Sequence, residues 1–236
     1  MTMKKYDTLL FDLDGTLTDS TEGILKCLVY ALERMGFEVP EDKNRFLGPP
    51  LCSSFAEFCG MNEEQTREAI SIFRERYSTV GLFENRVYEG IPEMLERLKK
   101  DGRRLMVATS KPEAYAVRIC ERFGLAPYLE LIGGAELDGS RDYKDEVIEY
   151  VLGRAGIADR SGVLMIGDRR QDVIGAHSTG IKCMGILWGY GSVEELSEAG
   201  ADFIAETPGN AADILLLFKI IRGKYYGKCK SQQGKK

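Results

Sequence analysis

Residues 8–16 read Thr8-Leu9-Leu10-Phe11-Asp12-Leu13-Asp14-Gly15-Thr16. The run Thr8–Phe11 is nearly all apolar and does not alternate, which is the pattern of a strand covered on both faces. Two carboxylates follow at alternate positions. Successive side chains of an extended backbone point to opposite faces, so Asp12 and Asp14 project to one side and Leu13 to the other. Two carboxylates at the tip of a buried strand repel each other and lose solvation, a cost that a cation would offset. Magnesium, a hard ion that takes carboxylate oxygens, suits that position. Asp14-Gly15 on its own also reads as a turn that ends a strand.

Four further runs resemble the first: Leu105–Ala108, Leu129–Ile132, Val163–Ile166 and Cys183–Leu187. Helical patterns separate most of them. Gly90-Ile91-Pro92-Glu93 opens one helix, with Pro92 in its first turn, and Asp101-Gly102 closes it. Lys111-Pro112-Glu113 opens a second, ending near Phe123-Gly124. A third has Asp142 as its cap and Val147, Ile148, Val151 and Leu152 as one apolar stripe. Strands that alternate with helices predict an α/β fold with a doubly wound, Rossmann-like parallel sheet.

Between the first two strands the rhythm breaks. Residues 17–87 carry helical spacing and no convincing strand: Ile24, Leu28, Ala31 and Leu32 share one helix face, and Ile70, Phe73 and Tyr77 another. One crossover helix needs far fewer residues. The stretch is expected to be an inserted α-helical cap domain hinged near Thr16–Ser20 and Phe83–Glu89. Residues 1–16 and 88–223 would then form the core. Residues 224–236, rich in lysine and free of acids, read as a basic tail, either solvated or an interaction patch.

Three other clusters follow strand ends. Thr109-Ser110 places two hydroxyls after the second strand, where a following helix start would add free N–H groups for an anion; Ser and Thr are also ordinary helix caps. Lys144 falls in the first turn of the third helix, where the helix dipole disfavours a cation, and a broken local rule hints at function, although a solvated lysine is common. In Ile166-Gly167-Asp168-Arg169-Arg170-Gln171-Asp172, Asp168 is a candidate metal ligand and Asp172 lies one helical turn beyond it. Asp172 also reads as a favourable acid in a first helical turn. In an open α/β sheet, ligands bind at the carboxyl edge where all these residues lie.

The 236-residue chain is 44% hydrophobic and 29% charged, with a net charge of -5, enough to build a core without staples. An acidic balance argues against nucleic acid as a partner. Six cysteines without C-x-x-C spacing and a single histidine, His177, argue against a zinc site and fit a reducing cytoplasm. No apolar segment is long enough for a membrane span, and the first residues lack a signal-peptide pattern.

Taken together, Asp12-Leu13-Asp14-Gly15-Thr16, Thr109 after an apolar strand, Lys144, and Gly167-Asp168 with Asp172 resemble the haloacid dehalogenase-like hydrolase superfamily over nearly the whole chain. The position of the inserted helices is similar to that in the phosphoglycolate phosphatase-like branch, and Phe46-Leu47-Gly48-Pro49-Pro50-Leu51 resembles a cap loop of a 5′-nucleotidase-like subgroup. The resemblance implies a magnesium-dependent hydrolase of small phosphomonoesters. Asp12 would be the nucleophile and Asp14 the general acid and base. Asp12, the Asp14 carbonyl and Asp168 would hold Mg2+, with Asp172 orienting a water beside it. Thr109, Ser110 and Lys144 would bind the phosphate. In the cap, Gly48 and Pro49 would hang over the site and Arg45, with Lys43, would read a substrate anion, or the segment is a plain interhelix loop.

Phosphoglycolate and nucleoside 5′-monophosphates are both candidate substrates. A phosphomutase of the same fold and a phospho-aspartate receiver domain are rivals; receivers are about half as long and place their acceptor after a later strand. His177 and Trp188 receive no role, and the oligomeric state is not legible.

Overall fold

The computed structural model of the protein describes residues 3–4, 6–217 and 219–220. The first strands are β1 (Met3–Lys4), β2 (Thr8–Phe11) and β3 (Thr18–Asp19); α1 (Thr21–Arg34), α2 (Leu51–Cys59) and α3 (Glu63–Tyr77) follow. The chain then runs through β4 (Arg86–Val87), α4 (Ile91–Lys100), β5 (Arg104–Pro112), α5 (Glu113–Arg122), β6 (Leu131–Ala135) and α6 (Lys144–Arg154). It ends with β7 (Val163–Gly167), α7 (Arg170–Ser178), β8 (Lys182–Ile186), α8 (Val193–Glu198), β9 (Phe203–Ala205), α9 (Pro208–Leu217) and β10 (Lys219–Ile220).

Six strands form one sheet in the order β6-β5-β2-β7-β8-β9, and every neighbouring pair is parallel. By rank along the sheet this is the doubly wound order, with its reversal between β2 and β7. Alternate residues of each strand face opposite layers. Leu9, Phe11, Leu105, Val107, Leu164 and Ile166 pack with the buried faces of α4, α5 and α9. Leu10, Met106, Ala108, Met165 and Cys183 pack with those of α6, α7 and α8. A fully buried side chain of this size contributes about 1.5–3 kcal/mol.

The helices form where local chemistry favours them. In α4, Gly90 at φ 83° starts the helix, and Ile91, Met94, Leu95 and Leu98 make its buried stripe. In α3, Asn62 Oδ1 accepts from the Gln65 N–H at 2.9 Å and Gln65 Oε1 from the Asn62 N–H at 3.0 Å, closing a reciprocal cap. The α6 start differs from expectation. Lys144 is its first residue, and the Glu146 carboxylate, not Asp142, reaches back to the N–H groups of Asp142 and Tyr143.

Three more differences have physical causes. β6 begins at Leu131 rather than Leu129, because Ala126–Tyr128 forms a 3-10 turn that Leu129 closes. A sixth strand, β9, escapes the sequence pattern because it has three residues and is half exposed at the sheet edge. The second strand runs past Ala108 to Pro112, with a register shift between Thr109 and Pro112.

Between β2 and β5 lie α1, α2 and α3. They enter and leave through the antiparallel pair β3–β4, where Thr18 pairs Val87 and Asp19 pairs Arg86. Leu28, Ala31 and Leu32 of α1 and Ala69, Phe73 and Tyr77 of α3 are buried in one cluster, while Ile24 and Ile70 are half-buried. The expected basic tail, residues 224–236, lies outside the described residues.

Candidate active site

β2 is the first strand of the six-stranded sheet in chain order and sits mid-sheet, bonded to β5 on one side and β7 on the other. Its ladder extends one step, as the Asp12 N–H donates to the Ile166 carbonyl at 2.9 Å. Asp12 therefore stands at the reversal of strand order, on the carboxyl edge. Asp12, Asp168 and Asp172 bring carboxylate oxygens within 4.8 Å of one another. Lys144 completes this group from the start of α6. Its Nζ lies 2.8 Å from Asp12 Oδ1, 2.8 Å from Asp172 Oδ1, and donates to the Ala108 carbonyl at 3.2 Å. Burial alone would discharge Lys144, but Asp12 and Asp172 outweigh it and hold its pKa above the ordinary lysine value.

Asp168 is fully buried. Its Oδ1 accepts from the Thr16 hydroxyl at 3.0 Å and its Oδ2 from the Tyr190 N–H at 2.8 Å. Neither donor is charged, and no ion pair to Asp168 occurs among the described residues. Burial, then the charges of Asp172 and Asp12, push its carboxyl above the ordinary range. Asp172 is shifted upward as well, chiefly by burial, although Lys144 opposes the shift. A buried carboxylate beside two others, stabilised only by neutral donors, calls for a cation. All-oxygen donors suit a hard divalent ion, so these residues fit magnesium.

Close packing of backbone holds this arrangement. Gly15 sits at φ 81°, and a Cβ there would meet Asp168 Oδ2 at 2.3 Å. A Cβ on Gly167 would meet the Asp172 carboxyl carbon at 2.2 Å. The Trp188-Gly189-Tyr190 turn closes over the same atoms, and the Trp188 indole N–H donates to the Thr16 carbonyl at 2.9 Å. Trp188 and Tyr190 thus support the acidic group, which a lone aromatic in the sequence does not announce. His177 lies apart, its Nε2 3.0 Å from Asp202 Oδ2.

The register shift in β5 brings in Lys111, where the sequence pattern predicts a helix opener. Thr109 pairs with Gly134 and Pro112 with Ala135, so Ser110 and Lys111 are extra residues on the β5 side. The helix begins only at Glu113, and the expected free N–H groups directly after Ser110 belong to this bulge instead. Thr109 Oγ1 accepts from the Lys111 N–H at 3.2 Å, which leaves the hydroxyl proton free to donate outward. Lys111 is buried, and its Nζ lies 2.6 Å from Asp14 Oδ2 and donates to the Tyr77 hydroxyl. Asp14 Oδ1 is buried and has no hydrogen-bond partner. The site's four carboxylates thus face two ammonium groups, and the two negative charges left over match one divalent cation.

A cavity of about 720 Å³ opens onto Asp12, Asp14, Thr109, Ser110, Lys111 and Lys144. Its opposite wall comes from the inserted helices: Ile24, Phe46, Leu51, Ile70, Phe73 and Tyr77, with Tyr115 from the core. Gly48 and Pro49 line it too. Arg45 does not. It is exposed, and its guanidinium lies over the Phe58 ring, 3.8 Å from the centroid, because Phe46 takes the inward position beside it. The cation that reaches the cavity from this side is Arg74, which also donates to the Leu137 carbonyl at 2.9 Å. Arg169 from the Asp168 loop donates to the Leu47 carbonyl and pairs with Glu195 at 2.9 Å.

Comparison with known proteins bears on this geometry. The haloacid dehalogenase-like hydrolase profile matches residues 9–186. A 5′-nucleotidase of Pseudomonas aeruginosa is 44% identical over 194 residues, 81% of this chain and 87% of that protein. The tyrosine-protein kinase PtkA of Mycobacterium tuberculosis is 40% identical over 202 residues, and the match spans 84% of this chain but 65% of PtkA. The crystal structure of a predicted phosphatase from Clostridium acetobutylicum superposes with a TM-score of 0.86 at 42% identity, covering 90% of this chain and 99% of that one. No helix among the described residues is long and apolar enough to cross a membrane.

Proposed function

The chain belongs to the haloacid dehalogenase-like hydrolases and is a phosphatase, and from that premise we propose that it is a magnesium-dependent phosphomonoesterase that works through phospho-Asp12 on substrates of nucleoside 5′-monophosphate type. The observation that carries the reading is Asp12 itself. Asp12 and Asp172 both belong to the acidic group, lie 2.8 Å from Lys144 and line the cavity, but the Asp12 side chain is 12% exposed, against 1% for Asp172, and it stands beside Asp14.

Asp12 attacks phosphorus while the bond to the leaving oxygen breaks, and Asp14 gives that oxygen its proton. Water then attacks the aspartyl phosphate, Asp14 takes back a proton, and Asp12 and inorganic phosphate are released. Thr109 donates its free hydroxyl proton to a non-bridging oxygen, and Lys144 balances the charge on Asp12 and the phosphoryl group. Asp12, Asp168 and the Asp14 carbonyl would hold magnesium, with Asp172 behind them, and the ion would offset the charge of a phosphate dianion entering among four acids. The helices of residues 17–87 act as a cap that excludes water around the leaving group.

The size and lining of the cavity support the larger of the two candidate substrate classes. Phosphoglycolate is a two-carbon acid, and about 720 Å³ walled by Phe46, Leu51, Ile70, Phe73 and Tyr115 would leave it few contacts. A nucleoside offers a flat ring to those aromatics and a ribose to the polar floor. A phosphate-release screen with magnesium over nucleoside monophosphates, phosphoglycolate and simple alkyl phosphates tests this. At least about tenfold higher kcat/KM for a nucleotide, some 1.4 kcal/mol of discrimination, is expected. Preference for phosphoglycolate, or full activity in excess EDTA, would overturn the substrate or metal assignment. Phosphate that moves to a protein tyrosine rather than to water would favour a phosphotransferase like the kinase its relative is named for.

A further inference from the structure

Lys111 is as deeply buried as Lys144, yet it touches neither Asp12 nor the acidic group around it. Its side chain is only 6% exposed, and its two polar partners are the Asp14 carboxylate and the Tyr77 hydroxyl. Those partners come from different parts of the fold: Asp14 follows the central strand, whereas Tyr77 ends α3 of the inserted helices. Tyr77 is fixed there by stacking on Phe73, with centroids 5.3 Å apart, and by an edge contact with Tyr115 at 5.7 Å. The Lys111 ammonium also lies 4.7 Å from the Tyr77 ring centroid. The bulge at Ser110-Lys111 is what turns this side chain inward.

We propose that Lys111 is a positioning residue for Asp14, itself held by Tyr77, so that the acid/base carboxylate is correctly aimed only while α3 covers the site. The inference rests on the acid/base role given above to Asp14. Asp14 has one oxygen on Lys111 and a second that is buried with no hydrogen-bond partner. With the first oxygen anchored, the plane of the carboxylate is fixed at the edge of the cavity that Asp14 lines, where a leaving-group oxygen would sit. Without Lys111, the carboxylate can rotate about its side-chain torsions and loses that aim. Tyr77 makes the anchor conditional. Movement of α3 away from the core removes the hydroxyl that fixes the ammonium, so the acid/base group is assembled by the same closure that excludes water.

The test measures leaving-group release in a single turnover for Lys111→Met, Lys111→Arg and Tyr77→Phe, with 4-nitrophenyl phosphate and an alkyl phosphate. Nitrophenolate leaves without a proton, whereas an alkoxide needs one. Lys111→Met is expected to slow alkyl release by roughly 100-fold, the lower range of general-acid contributions, and nitrophenolate release by less than about tenfold. Tyr77→Phe is expected to slow alkyl release by about three- to tenfold, with KM little changed. If Lys111→Met does not fold, Lys111→Arg and Tyr77→Phe carry the test through the same contrast between leaving groups. Equal losses on both substrates, a rise in KM with kcat unchanged, or no loss at all would overturn the inference while leaving the phosphatase intact. A wild-type protein that releases neither leaving group would instead overturn the proposed phosphoryl transfer to Asp12, on which both the acid/base role and the inference rest.

Discussion

The Thr16 hydroxyl donates to Asp168 Oδ1 at 3.0 Å, a buried bond between side chains 152 positions apart. It ties the loop after the first strand to the loop after the fourth strand of the chain order in the main sheet. Thr16→Val removes the donor at nearly constant volume and leaves a buried carboxylate oxygen short of a partner, at about 1–3 kcal/mol. Loss of a hydrogen bond behind a ligand typically weakens a metal by 10–100-fold. Magnesium titration of activity should therefore shift to higher concentration by about that factor in Thr16→Val and stay near wild type in Thr16→Ser. An unshifted titration in Thr16→Val would remove Asp168 from the metal site.

Lys144 faces two carboxylates at 2.8 Å each from a buried position. Removing one partner of a buried ion pair leaves charge uncompensated and costs about 3–5 kcal/mol. Lys144→Met should lower the thermal midpoint clearly and reduce kcat by about 100- to 1,000-fold. Magnesium should recover much of the midpoint but not the turnover. A variant that keeps turnover would show that Lys144 is structural only.

The metal-free protein should be less stable in mild alkali than in mild acid. Burial and the neighbouring acids raise the Asp168 carboxyl above its ordinary range, and burial raises Asp172. A raised carboxyl means that the folded state holds protons that the unfolded chain has already released above about pH 4. Folding stability from this source is complete below the ordinary aspartate pKa and falls as pH rises through the folded values. In EDTA the thermal midpoint should fall between about pH 5 and about pH 8, and added magnesium should restore more at the upper end. A midpoint in EDTA that rises over that interval contradicts the buried acidic cluster.

Arg169 joins the Asp168 loop to the loop before α2, in the inserted helices, through the Leu47 carbonyl. Gly48 beside it has φ 104°, and a Cβ there would meet Arg169 Nη1 at 2.6 Å. Arg169→Ala removes a charge-assisted bond worth about 1.5–3 kcal/mol in such settings. It should lower kcat/KM for the preferred substrate by about 10- to 100-fold, with a smaller effect on 4-nitrophenyl phosphate, which needs less of the cap wall. Equal effects on the two substrates would show that Arg169 does not act through the loop before α2.

The sheet was legible where periodicity and burial coincide. Thr8–Phe11 and Val163–Ile166 are apolar on both faces and end on acids, so strand and site announce themselves together. Asp12, Asp14, Thr109, Ser110, Lys144 and Asp172 do line one cavity, and Asp168 lies fully buried beneath it. Lys111 was hidden because its position depends on a register shift in β5, which no local spacing encodes. Tyr190 acts through its backbone N–H, to which sequence is blind. Arg45 looked attractive as a basic residue in the cap loop, but its neighbour Phe46 is the better side chain to bury and turned it outward.

The proposed mechanism requires Asp12 to carry the phosphoryl group. Substrate labelled in its phosphate is mixed with enzyme and magnesium, quenched in acid within one turnover, and the trapped acyl phosphate is reduced with borohydride and mapped by peptide mass. Label is expected on the peptide that holds Asp12, with reduction of that residue alone and no label in Asp12→Asn, which keeps its fold. Label on another residue, or full turnover by Asp12→Asn, would contradict it.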